Sequence, residues 1–183
     1  MWDEKKALEI LAQCNTPPEV VAHSIAVKDT CLKLCDLISQ KNTLFKLDRQ
    51  MIAVAALLHD IGRSKTHSVS HAVEGAKIIR EMNAGNDPKI EEIARICERH
   101  IGGGITKEGA KKLGLPDGDY VPKTIEEKIV AYCDNMIDDS SGKTVFKGAS
   151  WALSQYEKKH GEKSEPAKMV RELNSFFDNL LTS

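Results

Sequence analysis

Apolar residues recur three or four positions apart through nearly the whole chain, the spacing of a helix with one buried face. That spacing predicts helices over about 3–14, from Pro17 onward, from Asp48 to His59-Asp60, over 71–83 and 89–100, briefly after Thr106, from Thr124 through Ile137, and over 145–160 and 166–181. Val20, His23, Val27, Cys31 and Leu34 form one stripe of the second helix. The third departs from the pattern. Met51 to Leu58 is an unbroken apolar run, too short for a membrane span and apolar on every side, so it is expected to be buried all round. No segment alternates apolar and polar residues for long enough to demand a sheet. The predicted fold class is all-α, an irregular helical bundle.

The breaks between helices carry their own signals. Thr16 is the expected N-cap of the second helix, with Pro17 at its first position and Glu19 at capping-box spacing. Asp48 and Ser70 are the expected caps of the third and fourth, and Asn86-Asp87-Pro88 turns the chain into the fifth. Gly102-Gly103-Gly104 ends the fifth. Thr124 and Glu127 make a second capping box, Asp139 to Lys143 breaks the helix it opens, and the polar stretch 161–165 is the expected connector before the last helix. At 183 residues the chain fits one domain, with a core over about 17–140 and C-terminal helices over 145–183 packing on it.

Composition narrows the partners. Twenty-six basic residues face 27 acidic ones, a net charge of −1, so no long-range field draws in a nucleic acid polymer or an anionic membrane. A local basic pocket is still allowed. Five scattered cysteines, an odd number lying mostly in apolar helical stretches, read as reduced core residues of a cytoplasmic protein. The N-terminal residues lack the apolar segment of a signal peptide.

The candidate chemistry starts at the end of the apolar run, where His59-Asp60 is followed by Ile61-Gly62-Arg63. Neighbours on an ideal helix point about 100° apart and rarely share one ligand. Gly62 is expected to break the helix there and let both side chains turn onto one ion. His23 sits mid-stripe; taken alone, it reads as a core histidine bonded to a backbone carbonyl. Asp134 shares a face with Val130, Ala131 and Ile137, where an unpaired carboxylate costs several kcal/mol, although neighbouring Asn135 and Asp138 also allow a surface position. Together, His23, His59, Asp60 and Asp134 make a set of nitrogen and oxygen donors suited to a borderline divalent metal. Four protein ligands on an ion that accepts six leave positions open, and a water there is acidified and able to attack.

This order of residues, a lone His, then His-Asp, then a distant Asp, all on helices, resembles the HD-domain metal-dependent phosphohydrolases. Leu58-His59-Asp60-Ile61-Gly62-Arg63 looks like the version named for its His-Asp-Ile-Gly core. The resemblance covers about 17–137. It implies an all-α fold, a divalent metal (Mn, Fe, Co, Ni, Zn or Mg) held by His23, His59, Asp60 and Asp134, and hydrolysis of a phosphate ester or anhydride, usually in a nucleotide. The segments Ser70 to Ala76 and Glu98 to Gly102 look similar to those of bacterial diadenosine-tetraphosphate hydrolases of the same superfamily. On that resemblance His71 and His100 bind a second ion, with Asp60 bridging. Without it, both are helix-end histidines, and the dipole alone favours His100 where it stands.

Phosphate also needs cations from the chain. Arg63 and Lys65 follow the His-Asp pair and are the candidates to bind it, with Lys143 and Lys147 behind them. Asp60 or Asp134 is the expected group to orient a water or take its proton. His67 either lines the site or is solvated, and His160 reads as surface. Cys97 and His100 lack a second pair to complete a zinc site, and Gly102-Gly103-Gly104 lacks the Lys-Ser/Thr ending of a P-loop. The leading expectation is therefore an enzyme acting on a small phosphorylated metabolite. The alternatives are a sensor that binds a nucleotide or metal without turnover, and a helical scaffold with no ligand.

Overall fold

The computed structural model describes residues 2–42, 46–83 and 85–182. Its helices are α1 (Glu4–Gln13), α2 (Pro18–Lys41), α3 (Arg49–Leu58), α4 (His71–Glu81), α5 (Pro88–Arg99), α6 (Lys107–Lys112), α7 (Ile125–Asn135), α8 (Ala149–His160) and α9 (Glu165–Thr182), with a 3-10 turn at Ile61–Ser64. The fold is all-α, as the periodicity predicts.

Helix α3 is the axis of the bundle. Every residue from Met51 to Leu58 is buried, and the helix packs against α1, α2, α5 and α7. Full burial of each of its leucines contributes about 1.5–3 kcal/mol. Asp48 caps it as expected, accepting from the Met51 amide at 3.0 Å. Thr124 and Glu127 form the predicted capping box that opens α7. The C-terminal ends of α3 and α7 meet, with His59 Nε2 3.3 Å from Asp134 Oδ1.

Several boundaries differ from expectation. Pro17, not Thr16, is the N-cap of α2, because Pro18 excludes its predecessor from the helical region; the Thr16 hydroxyl is buried without a partner. Ser70 makes no cap bond through its side chain. Helix α7 stops at Asn135, and α8 starts at Ala149 rather than 145. Between them runs a small antiparallel hairpin, β1 (Ile137–Asp138) with β2 (Val145–Phe146), pairing Ile137 with Phe146. The Gly142 amide donates to the Asp139 carbonyl, and φ of +72° at Gly142 lets the chain double back. The hairpin matters because it brings Asp139 back over α2.

Gly62 acts differently from the prediction. The helix already ends at Leu58, and Asp60 (φ −104°, ψ 12°) has left the helical region before the glycine is reached. What Gly62 permits is close packing: a Cβ there would lie 1.9 Å from the His71 carbonyl oxygen and 2.6 Å from the Gly75 amide nitrogen. The missing side chain lets the first turn of α4 sit on the His-Asp turn and carries His71 to Asp60.

Candidate metal centre

Three imidazoles are held in the same way. His59 Nδ1 donates to the Ala56 carbonyl at 2.7 Å, His71 Nδ1 to the Ser68 carbonyl at 2.7 Å, and His100 Nδ1 to the Cys97 carbonyl at 2.6 Å. Each partner lies three residues back. A carbonyl has no proton to give, so Nδ1 carries the proton and Nε2 presents a lone pair. His59 and His100 stand at the C-terminal ends of α3 and α5, where backbone carbonyls have no helical partner and are available to fix a ring. The Cys97 thiol donates to the His59 carbonyl at 3.0 Å and ties these two helix ends together.

The Nε2 atoms converge. Those of His71 and His100 stand 3.2 Å apart. Asp60 Oδ1 lies 2.9 Å from His71 Nε2 and 3.5 Å from His100 Nε2, while its Oδ2 accepts from Arg63 Nε at 2.5 Å. Asp134 Oδ1 lies 2.8 Å from His23 Nε2 and 3.3 Å from His59 Nε2. The other ring nitrogen of His23 meets Asp139 Oδ2 at 2.6 Å. Helices α2, α3, α4, α5 and α7 each contribute to the cluster, directly or at an end.

Acceptor facing acceptor at these distances calls for a cation between them. Asp60 Oδ1 and His59 Nε2 are buried without a hydrogen-bond partner. Donor atoms within 4.8 Å of one another fall into three overlapping groups: His23, His59 and Asp60; His59, His100 and Asp134; Asp60, His71 and His100. Nitrogen and carboxylate donors in this arrangement fit one or two divalent ions, with Asp60 shared between two groups. Where protons play the cation's part, the electrostatics follow. Burial works against the charge on His23, but Asp134, Asp60 and Asp139 outweigh it and raise its pKa to about 9. Burial also works against the carboxylates, yet the surrounding imidazoles hold Asp60 and Asp134 well below the usual range. Burial lowers the pKa of His100.

The cluster opens into a cavity of about 510 Å3, whose wall includes His23, Asp60, Arg63, Asp134 and Asp139. Arg63 lines this cavity beside Asp60. His67 also lines the wall. Lys65 is exposed and absent from that wall, so nothing in the structure brings it to the site. Lys143 is exposed and Lys147 faces Asp138 at 3.8 Å, so neither second-tier lysine lines the cavity. His160 is exposed on α8. Three contributors escaped the sequence reading. Asp139 reads as a helix breaker and becomes a partner of His23 only through the hairpin. Trp151 and Tyr156 line the cavity from α8, and their signal in the sequence is a pair of aromatic residues on one short helix.

Comparison with known proteins places this frame. The model of the HD domain matches residues 20–137. Uncharacterized protein MJ0778 of Methanocaldococcus jannaschii is 41% identical over 177 residues, 97% of this chain and 98% of that protein. The tRNA (cytidine(56)-2'-O)-methyltransferase of Picrophilus torridus is 44% identical over 135 residues, 74% of this chain and 36% of that protein. The Thermoplasma volcanium protein of the same name is 35% identical over 179 residues, 98% of this chain and 48% of that protein. The chain thus spans less than half the length of these two methyltransferases. Among solved structures, the HD domain of the L. monocytogenes phosphodiesterase PgpH in complex with cyclic-di-AMP shares the fold, with a TM-score of 0.52, 16% identity, and coverage of 95% of this chain and 94% of that one. His23, His59, Asp60, His71, His100 and Asp134 all fall inside the matched span and converge on one centre, and by that match the chain belongs to the HD-domain family.

Proposed function

We propose that this protein is a metal-dependent phosphohydrolase that cleaves a phosphate ester or anhydride in a small metabolite, with a nucleotide as the substrate class. The observation that carries this reading is the set of three imidazoles whose Nδ1 atoms are anchored on backbone carbonyls and whose Nε2 lone pairs meet buried carboxylates. His23, His59, Asp60 and Asp134 would hold one divalent ion; His71 and His100, with Asp60 shared, would hold a second. A divalent cation so held draws charge from a phosphoryl oxygen and makes a water more acidic.

The chain's own groups supply the rest. Asp60 fixes Arg63 through its Nε, which leaves the rest of the guanidinium, about one-third exposed at 31%, to bind a phosphoryl oxygen in the cavity. Asp134 and Asp60 are the carboxylates positioned to orient a water or receive its proton. Trp151 and Tyr156 give the cavity aromatic faces on which a nucleobase can stack. That a domain of this fold is solved with cyclic-di-AMP agrees with a nucleotide ligand. Because α8 walls the cavity, residues 145–183 are read as part of the same unit as the core.

The test is a screen of phosphomonoesters, phosphodiesters and nucleotides with Mn, Co, Ni and Mg. Activity should appear and fall at least about a hundredfold in both Asp60→Ala and Asp134→Ala, as when a group acting on transition-state charge is lost. Tight nucleotide binding with no product under any metal would instead make the protein a sensor.

A further inference from the structure

His23 is held unlike the other three imidazoles of the cluster. Each of those rests its Nδ1 on a backbone carbonyl three residues back, at a helix end where such carbonyls lack helical partners. His23 lies inside α2, where the carbonyls three and four residues back belong to the helical ladder. It has no local anchor to take. Its Nδ1 meets the Asp139 carboxylate instead, at 2.6 Å.

The hairpin fixes where that carboxylate stands. Strand β1 packs on α2, with Ile137 buried. The Lys147 amide donates to the Met136 carbonyl at 2.8 Å and closes the hairpin at its base. Asp138 is engaged within it: Oδ1 accepts from the Ser140 amide at 3.0 Å, and Oδ2 faces Lys147 at 3.8 Å. Asp139 is turned the other way, onto His23 and the cavity wall. Its side chain is 43% exposed, so removing it opens no hole in the core. It belongs to none of the three groups of converging donor atoms.

Of the four imidazoles, His23 alone has a carboxylate at each ring nitrogen: Asp134 Oδ1 stands 2.8 Å from Nε2 on the opposite edge. The two compete for the ring proton. A proton drawn to Nε2 by Asp134 would occupy the lone pair that a metal needs. Asp139, the shorter of the two contacts, draws it to Nδ1. The contact lies off the N–H line, since Nδ1 is buried with no aligned hydrogen bond, so charge rather than direction carries it. Outer partners of this kind also make a metal-bound imidazole a stronger donor.

We infer that Asp139 is a positioning residue for the metal centre: it holds the proton of His23 on Nδ1 and so keeps Nε2 open to a divalent cation. This assignment rests on the metal-dependent reading of the cluster proposed above, and Asp139 acts in it through His23 rather than as a ligand.

Asp139→Ala tests it in chelator-treated protein titrated calorimetrically with manganese, with no substrate present. The variant should bind manganese about ten- to a hundredfold more weakly than wild type. Glu19→Gln is the control, because Glu19 is also an exposed carboxylate on the cavity wall and makes no ion pair among the described residues. It should bind manganese nearly as wild type does. Cobalt-loaded protein gives a second reading: the visible absorption of Asp139→Ala should differ from that of wild type and of Glu19→Gln, because a turned or lost imidazole changes the field at the ion. Equal manganese affinity in Asp139→Ala and wild type overturns the assignment. So does a loss in Glu19→Gln as large as that in Asp139→Ala, which would make the effect one of net charge. Failure of wild type to take up manganese or cobalt overturns the metal centre together with the role of Asp139. Metal uptake without hydrolysis of any phosphate ester removes the enzyme reading alone, and the affinities then still decide for or against Asp139.

Discussion

Metal should stabilise this fold, and Asp60 should govern how much. Asp60 is 4% exposed and supplies a donor atom to two of the three overlapping ligand groups, so its charge bears on either ion. A metal that binds the folded chain alone and is present at about a hundred times its dissociation constant stabilises by about 2.7 kcal/mol. For a chain of this length, a change of 1 kcal/mol moves Tm by about 2–4 °C, so the expected rise is roughly 5–11 °C. Asp60→Asn keeps the shape and removes the charge. If affinity falls a hundredfold, the same metal concentration equals the dissociation constant and stabilises by about 0.4 kcal/mol, a rise of about 1–2 °C. Scanning calorimetry of each protein with chelator and with manganese reads the two rises. Comparing rises within each protein cancels any effect of the substitution on the metal-free fold. An undiminished rise in Asp60→Asn would refute the claim that the orphaned Oδ1 is a metal donor, and the absence of a rise in wild type with Mn, Co, Ni, Zn and Mg would refute the metal centre itself.

Two further substitutions probe the frame that holds the centre. Asp48 caps α3 and pairs with Lys89 at 2.5 Å; the Lys89 bond, then the Met51 amide, lowers its pKa, so it stabilises the fold above the usual Asp pKa of about 3.9 and that contribution is lost as pH falls through the lower folded value. Asp48→Asn should therefore be less stable than wild type to urea at pH 7, with the gap closing as pH falls below the usual carboxylate range, and a gap independent of pH would count against the ion pair. Phe177 is fully buried and stacks on Tyr132 with centroids 4.3 Å apart, so Phe177→Ala should cost about 3–5 kcal/mol in urea denaturation while leaving the manganese-induced rise in Tm intact. A cost below about 1 kcal/mol would mean that α9 does not pack on α7 as described.

Much of this is legible in the sequence. Met51 to Leu58 has no polar face, so water could not be its surroundings, and it became the buried axis. Thr124 and Glu127 signal a helix start through bonds made within one turn, and those bonds need no distant partner. Thr16 was misread because two prolines compete for the same start and the second dictates the conformation of the first. The stretch around Ile137 and Val145 was misread because two-residue strands leave no period to detect.

Local pattern, then, settled the helical class and the central helix, donor chemistry picked out His23, His59, Asp60 and Asp134 as candidate ligands, and family resemblance added His71 and His100 as candidates. Those features depend on a residue's type and on neighbours within about one helical turn. Folding alone decided how these candidates meet: the Gly62–Gly75 contact that delivers His71, the carbonyl anchors that turn each Nε2 inward, and the hairpin that sets Asp139 on His23. Such relations join distant positions, 111 residues apart for His23 and Asp134, and depend on how helices pack rather than on how each one forms.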